Sequence, residues 1–163
     1  GDIILLPEIP YDIDIITERV IERSRTGRRF SIIVISEGAK PLGGKATIHK
    51  IVKESTDPIR LGGVGFVLGH QIEQRTQIET RALVLGHLQR GGVPTPYDRI
   101  LATKLGTRAV EMINNGHYGC MVGVSCNKMV EVPLDEVAKG QRLVSPDDPL
   151  ISAAKSVGTS FGD

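Results

Sequence analysis

Apolar runs alternate along this chain with segments whose apolar positions recur at helical spacing. Short apolar runs bounded by turn residues favour buried strands, and four of them lie at residues 3–6, 30–36, 82–85 and 120–125. Helical spacing predicts helices at residues 12–25, 64–76 and 97–115. Because strands that alternate with helices are typical of a parallel sheet covered on both faces, the pattern predicts an α/β, three-layer, Rossmann-like fold.

Shorter elements complete the predicted fold. We expect residues 129–132 to form a hairpin partner or an edge strand and residues 135–139 a short helix. Residues 151–157 are predicted to form a last helix that packs elsewhere or frays. The polar stretch at residues 39–61 is predicted to be a long loop, either functional or mobile, with a short helix around residues 47–54.

Composition narrows the function classes. The 163 residues are 40% apolar and 24% charged, with a net charge of +1, which is ordinary for one globular domain and favours neither a nucleic acid nor a membrane as partner. Two cysteines, Cys120 and Cys126, without an apolar signal segment predict a cytoplasmic protein with buried free thiols. Since Gly1-Asp2 leads straight into a predicted strand, we expect an excised part of a longer protein.

The loop after the third predicted strand carries the candidate chemistry. His87 and Arg90 lie in this loop, at the sheet edge where α/β folds place their sites, and Arg81 lies just before the strand. Two guanidinium groups and an imidazole suit a phosphate dianion, which binds several charge-assisted donors. Gly91 and Gly92 allow the backbone to approach a ligand closely or to take a positive φ. The stretch therefore indicates a phosphate-bearing ligand.

Two acidic residues extend the candidate site. Glu37 follows the second predicted strand, where its carboxylate can accept hydrogen bonds from sugar hydroxyls, although a solvated turn residue is the alternative. Asp98 stands near the start of a predicted helix, where it either caps the helix or holds Arg90 or Arg99 in place. Neither residue indicates a ligand-binding site when it is taken alone.

Structural alternatives stand beside the ligand-binding interpretation. Arg81 could be an ordinary surface charge beside Glu79, and His87 could donate to a backbone carbonyl. The paired glycines could simply make a turn. It is the combination of these residues in one loop that favours a ligand. No pair of histidines or cysteines has metal-ligand spacing, so we predict no metal site.

These residues resemble the signature of 6-phosphofructokinases. They match every fixed position of that signature, in the order Arg81, four residues, Gly86-His87, one residue, Gln89-Arg90-Gly91-Gly92, five residues, Asp98-Arg99. The similarity runs from Pro7-Glu8 through Ser36-Glu37 to the helix after Asp98. The resemblance implies the C-terminal lobe of a phosphofructokinase fold, with residues 1–163 as the sugar-phosphate-binding lobe of a longer two-lobed enzyme.

The resemblance also implies a role for each candidate residue. His87 and Arg90 would hold fructose 6-phosphate from their own subunit, mostly at the 6-phosphate. Glu37 would bind the ring hydroxyls. Arg81 would reach into the site of a neighbouring subunit, which implies a homo-oligomer, a dimer or a tetramer. The supporting loop would consist of Gly91, Gly92 and Asp98.

The chemical apparatus is implied to lie elsewhere in such an enzyme. In this family the donor loop, the Asp that takes the proton from the sugar 1-hydroxyl, and Mg²⁺ with ATP or pyrophosphate belong to the N-terminal portion. We therefore expect no catalytic residue in this segment and no turnover from it alone. The long stretch at residues 39–61 resembles the branch that includes pyrophosphate-dependent and mixed-donor members, so the sequence leaves the phosphoryl donor open.

The expected activity of the whole enzyme is the phosphorylation of fructose 6-phosphate to fructose 1,6-bisphosphate in glycolysis. A non-catalytic sugar-phosphate sensor of similar fold is the main alternative, since the catalytic apparatus is not among these residues. An isomerase or a sugar-binding domain with convergent phosphate contacts is a weaker one.

Overall fold

The structure, a computed structural model, describes residues 1–45, 48–51, 59–61, 63–140 and 142–163. The chain divides into two compact units, one formed by Gly1–Val84 with Val144–Asp163 and the other by Leu85–Leu143. Within the described residues, no helix combines the length and the apolar composition that crossing a membrane requires. The expectation that residues 1–163 form a single sugar-phosphate-binding lobe stays a prediction.

A parallel pair of strands organises the first unit. The strands β1 (Ile3–Leu5) and β2 (Ile33–Ile35) pair in parallel, with Ile3 opposite Ile33, and α1 (Ile13–Arg25) connects them. The other edge of β1 is partly occupied, because the Ile4 amide donates to the carbonyl oxygen of Ser160 at 2.9 Å. The predicted α/β class and the parallel pairing are confirmed for this pair.

Helix α1 begins and ends where its sequence predicts. Asp12 is the N-cap, and its carboxylate accepts a hydrogen bond from the Asp14 amide at 2.8 Å. After the C-cap Thr26, the chain turns at Gly27, whose φ of +86° suits glycine. The apolar stripe of α1 buries Ile16 and Val20 against the strands.

Two further helices complete the core of the first unit. The helix α2 (Val64–Thr76) lies within the predicted bounds and buries Leu68 and Ile72 in the same cluster as α1. The helix α5 (Pro149–Ser156) buries Ile151 beside Ile9 and Phe161, so this predicted last helix is packed and does not fray. Between β2 and α2 lies an antiparallel pair, β3 (Ile48–Ile51) and β4 (Ile59–Leu61).

The second unit is built from one long helix and a hairpin. A 3-10 helix at Gly86–Arg90 precedes α3 (Pro96–Asn114). The strands β5 (Cys120–Ser125) and β6 (Lys128–Pro133) pair antiparallel over six residues each, so of the two arrangements expected for residues 129–132 the structure has the hairpin. Strand β5 is less buried than predicted, since Met121 and Val124 are both 43% exposed. A short helix α4 (Leu134–Val137) follows.

Three predictions about this architecture are wrong. Residues 82–85 form no strand, and Leu83 is 79% exposed. The predicted helix around residues 47–54 is contradicted over Ile48–Ile51, which is a strand, while residues 47 and 52–54 lie outside the described residues. The expectation of buried thiols fails at Cys126, which is exposed, and Cys120 is only half-buried, although both cysteines are free.

The absence of the predicted strand at residues 82–85 has a simple physical reason. A short apolar run becomes a strand only when a neighbouring strand satisfies its amide and carbonyl groups and covers its side chains. Among the described residues, none of the strand pairs includes residues 82–85. The apolar side chains of this run therefore stay accessible to solvent.

Candidate functional site

Glu37 lies at the tip of a tight turn at the carboxyl end of β2. The Ser36 amide donates to the Leu5 carbonyl at 3.0 Å, and the Ala39 amide closes the turn on the Ser36 carbonyl at 2.9 Å. Ala39 is completely buried, whereas Glu37 is exposed. The turn therefore presents a solvent-facing carboxylate on an anchored backbone, at the sheet edge where the sequence predicts it.

The fit between Gly38 and the loop after β1 explains why this turn is tight. A Cβ atom placed on Gly38 would lie 3.1 Å from Cγ of Pro7, which is closer than ordinary van der Waals contact. The loops that follow the two parallel strands thus approach one another at this point. A side chain at position 38 would therefore fit only if Pro7 shifted by a few tenths of an ångström.

Arg81 lies in an extended segment beside α2 and pairs with Glu79. Its Nε and Nη2 atoms both lie 2.9 Å from Oε1 of Glu79, and both side chains are exposed. Arg81 also lines a groove of about 260 Å³, whose walls include Ile35 of β2 and Leu68 of α2. Glu37 is not among the residues that line this groove. The ion pair with Glu79 is the geometry that the structural alternative for Arg81 predicts.

His87 and Arg90 belong to the 3-10 helix of the second unit. They lie three residues apart, and a 3-10 helix has about three residues per turn, so their side chains leave from the same side. Both residues are exposed. An imidazole and a guanidinium on one side of a single turn can donate to the same anion.

Two glycines, one at the start of the 3-10 helix and one just after it, allow its tight geometry. Gly86 has a φ of +50° and Gly92 a φ of +98°, which L side chains rarely adopt. Gly91 is different, because its backbone is extended and its amide donates to the Leu88 carbonyl at 3.1 Å. Of the two uses considered for these glycines, a positive φ is therefore observed at Gly92 and not at Gly91.

The end of the loop is fixed by a capping box that the sequence-based interpretation missed. Thr95 is the N-cap of α3, and its hydroxyl accepts from the Asp98 amide at 3.2 Å. In return, the Asp98 carboxylate accepts from the Thr95 amide at 2.8 Å and from its hydroxyl at 2.7 Å. These bonds from Thr95 lower the pKa of Asp98 below its usual value.

The N-cap role considered for Asp98 is corrected by this geometry. Thr95 is the N-cap, and one oxygen of the Asp98 carboxylate faces Thr95. The signal for this arrangement is present in the sequence as Thr95-x-x-Asp98, a capping-box pattern in which Asp replaces the commoner Glu. Its function here is to fix where the loop enters the helix.

The structure distributes the predicted site residues over both units. Glu37 and Arg81 belong to the first unit. The second unit holds the remaining residues, which are His87, Arg90, Gly91, Gly92 and Asp98. Each unit thus supplies polar groups that could contact a sugar phosphate, hydroxyl acceptors and a guanidinium in the first and a pair of cationic donors in the second. Among the described residues, no three His, Cys, Asp or Glu side chains form a group that could hold a metal ion.

Comparison with known proteins identifies a family. The sequence profile described as Phosphofructokinase matches residues 1–113. ATP-dependent 6-phosphofructokinase 2 of Clostridium perfringens is 49% identical over 164 residues, which cover 100% of this chain and 45% of that protein. ATP-dependent 6-phosphofructokinase of Spirochaeta thermophila is 46% identical and is covered to 44%. This chain thus spans about half the length of the curated relatives it matches.

Solved structures agree on the fold. The pyrophosphate-dependent phosphofructokinase of Nitrosospira multiformis matches 89% of this chain, and 35% of its own, with a TM-score of 0.63 and 24% identity. Phosphofructokinase of Saccharomyces cerevisiae matches 99% of this chain, and 20% of its own, with a TM-score of 0.62 and 22% identity. At these identities the likeness concerns the fold alone, and it is the match to the family profile and to the curated relatives that decides membership. This chain belongs to the phosphofructokinase family.

Proposed function

We propose that this chain is the acceptor-binding part of a cytoplasmic 6-phosphofructokinase, which phosphorylates the 1-hydroxyl of fructose 6-phosphate to give fructose 1,6-bisphosphate. One observation carries the proposal: in a chain of this family, His87 and Arg90 leave the same side of a 3-10 helix that begins at Gly86 and is followed by Gly92, two glycines with a positive φ. Two cationic donors so arranged suit a phosphate dianion. The printed names of the curated relatives, ATP-dependent 6-phosphofructokinases, support the same activity.

In this proposal each candidate residue contacts a different part of the sugar phosphate. His87 and Arg90 bind the 6-phosphate, and the solvent-facing carboxylate of Glu37 accepts hydrogen bonds from ring hydroxyls. Arg81 completes the pocket of a neighbouring subunit, which requires a homo-oligomer. The exposure of the Arg81 side chain supports a contact outside its own unit.

The contribution of these residues to catalysis would be positioning. Holding an acceptor in reactive geometry is worth about 7 kcal/mol of barrier in well-oriented cases. We propose ATP as the donor, because the relatives at 49% and 46% identity are named ATP-dependent. Mg²⁺ would accompany the donor outside these residues, and the described part of the chain holds no cluster to which a metal step could be assigned.

Substitution of Arg90 tests the proposal in the full-length protein. Arg90→Ala removes a charge-assisted donor to the 6-phosphate, so we expect the KM for fructose 6-phosphate to rise about ten- to hundredfold, with a far smaller change in the KM for ATP. Steady-state kinetics with each substrate varied in turn give both constants. The purified 163-residue chain, which we propose has no turnover alone, serves as the blank.

Lys104→Ala supplies a charge-matched control, since Lys104 is exposed on α3 and lies outside the candidate loop. It should leave both constants unchanged. An equal loss of affinity for donor and acceptor in the Arg90 variant would refute the assignment, as would turnover by the 163-residue chain. A wild-type protein that binds fructose 6-phosphate without phosphorylating it would instead support a sensor.

A further inference from the structure

The segment that carries Arg81 is held in an extended form against α2. Exposed and half-buried residues alternate from position 78 to position 82, as they do in an extended chain with one covered face. Ile78 packs against the core cluster, and Thr80 lies so close to α2 that a Cβ on Gly69 would come within 3.2 Å of its Cγ2. Glu79 and Arg81 therefore face solvent together, two residues apart on one side of an anchored backbone.

The ion pair between these two side chains uses one particular edge of the guanidinium. Nε of Arg81 donates to Oε1 of Glu79 at 2.9 Å, and Nη2 lies 2.9 Å from the same oxygen. A guanidinium has five N–H donors. This side-on contact leaves the two hydrogens on Nη1 and the second hydrogen on Nη2 directed away from Glu79, and this end-on fork has the spacing that binds two phosphate oxygens.

From this geometry we propose that Glu79 is a positioning residue for Arg81, which fixes the plane of the guanidinium and presents its end-on fork to the phosphate of the sugar substrate. The inference rests on the proposed function, because it assigns a second residue to the same phosphate contact. In the alternative arrangement, the Glu79 carboxylate would compete with the phosphate, because both would occupy the same edge of the Arg81 guanidinium. Glu79 lies on the Nε side of the guanidinium and so orients Arg81 without occupying the edge between Nη1 and Nη2.

A double-mutant cycle in the full-length protein tests this coupling. Glu79→Gln keeps the size of the side chain and removes its charge, so we expect the KM for fructose 6-phosphate to rise about two- to fivefold, the range typical of exposed ion pairs, with kcat unchanged. In an Arg81→Ala background the same substitution should change nothing, because the group through which it acts is gone. Glu73→Gln, at an exposed position on α2, is the matched control and should resemble the wild type.

The possible results separate this inference from the proposed function. If Glu79→Gln raises the KM equally with and without Arg81, or leaves it unchanged while Arg81→Ala raises it, the positioning role is wrong and the proposed function stands. A fall in the KM of the Glu79 variant would mean that the carboxylate competes with the phosphate, which also overturns the inference. If Arg81→Ala and Arg90→Ala both leave the KM unchanged, the proposed phosphate site itself fails.

Discussion

The two units of this chain are stabilised in different ways. In the first unit Ile3, Leu5 and Ile16 are completely shielded from solvent, and helices from distant parts of the sequence share one apolar cluster. In the described part of the second unit, Met112 is the one fully buried apolar side chain. The candidate loop with His87 belongs to this sparsely buried unit, so its geometry depends more on local hydrogen bonds than on a core.

Backbone pairing and side-chain hydrogen bonds hold the second unit together. The hairpin of β5 and β6 pairs along its whole length, and the capping box fixes the start of α3. Farther along α3, Arg108 donates to Glu111 at 3.0 Å and to Glu131 of β6 at 2.6 Å. The hydrogen bond that Arg108 donates to Glu111, followed by the charge of Glu131, raises the pKa of Arg108 above its usual value. Such contacts are individually weaker than burial of a large apolar side chain.

The largest expected effect comes from the core of the first unit. Ile16→Ala leaves a cavity between α1 and the parallel strands, and we expect it to lower the free energy of unfolding by about 2–5 kcal/mol. Hydrogen exchange of the α1 amides in the 163-residue chain measures the loss. Ile15→Ala on the same helix is the control, because Ile15 is 37% exposed and its truncation should cost clearly less. Equal losses from both variants would mean that the two faces of α1 do not differ as described.

An intermediate effect is expected from the capping box of the second unit. Thr95→Ala removes the hydroxyl that accepts from the Asp98 amide, so the start of α3 should lose about 1 kcal/mol. Hydrogen exchange of the first-turn amides of α3 reports this loss. Thr95→Ser keeps the hydroxyl and should retain most of the stability. If the serine variant were as unstable as the alanine variant, the capping hydrogen bond would not be the cause.

The same capping box predicts a dependence on pH. The pKa of Asp98 is lower in the folded chain than in the unfolded one, because Thr95 donates to its ionised form. Its contribution to stability is therefore complete above the unfolded pKa of about 3.9 and is lost as the pH falls toward the lower folded pKa. Asp98→Asn should remove this part of the acid dependence of α3 exchange, and an unchanged acid profile would contradict the assignment.

How well the sequence predicts each element depends on how local its determinants are. Helix α2 lies within its predicted bounds because periodicity and end signals act within a few turns. The strand predicted at residues 82–85 is wrong because a short apolar run does not indicate whether a partner strand lies next to it. The helix predicted at Ile48–Ile51 is wrong for the opposite reason. Here a partner strand is present, and pairing with β4 rather than local propensity decides the conformation.

The same distinction between local and non-local determinants applies to the candidate site. The position of Glu37 after β2 follows from the sequence, because the run that forms β2 ends just before it. Sequence proximity predicts that Arg81 lies beside Glu79, but not which edge of the guanidinium the carboxylate occupies. The capping role of Thr95 follows from the pattern Thr95-x-x-Asp98, whereas the prediction of an N-cap at Asp98 places the cap three residues too late.

The smallest expected effect concerns residues 82–85, the apolar run for which the predicted strand is absent. Leu83→Ser in the 163-residue chain should change the free energy of unfolding by no more than about 0.5 kcal/mol, because Leu83 is largely accessible and few contacts would be lost. Leu68→Ser is the matched control. Leu68 is 2% exposed in the core of the first unit, so its replacement should cost several times as much. Chemical denaturation of both variants gives the two values.

A large loss from Leu83→Ser would mean that this side chain is buried when the chain folds. Burial would require a partner for this run, and the groove lined by Ile35, Leu68 and residues 82–84 would then be closed rather than open to solvent. Arg81 would in that case leave a strand and not an exposed extended segment, which would change the direction of its guanidinium. The cost of one exposed leucine therefore decides whether the Glu79–Arg81 geometry is that of the folded chain.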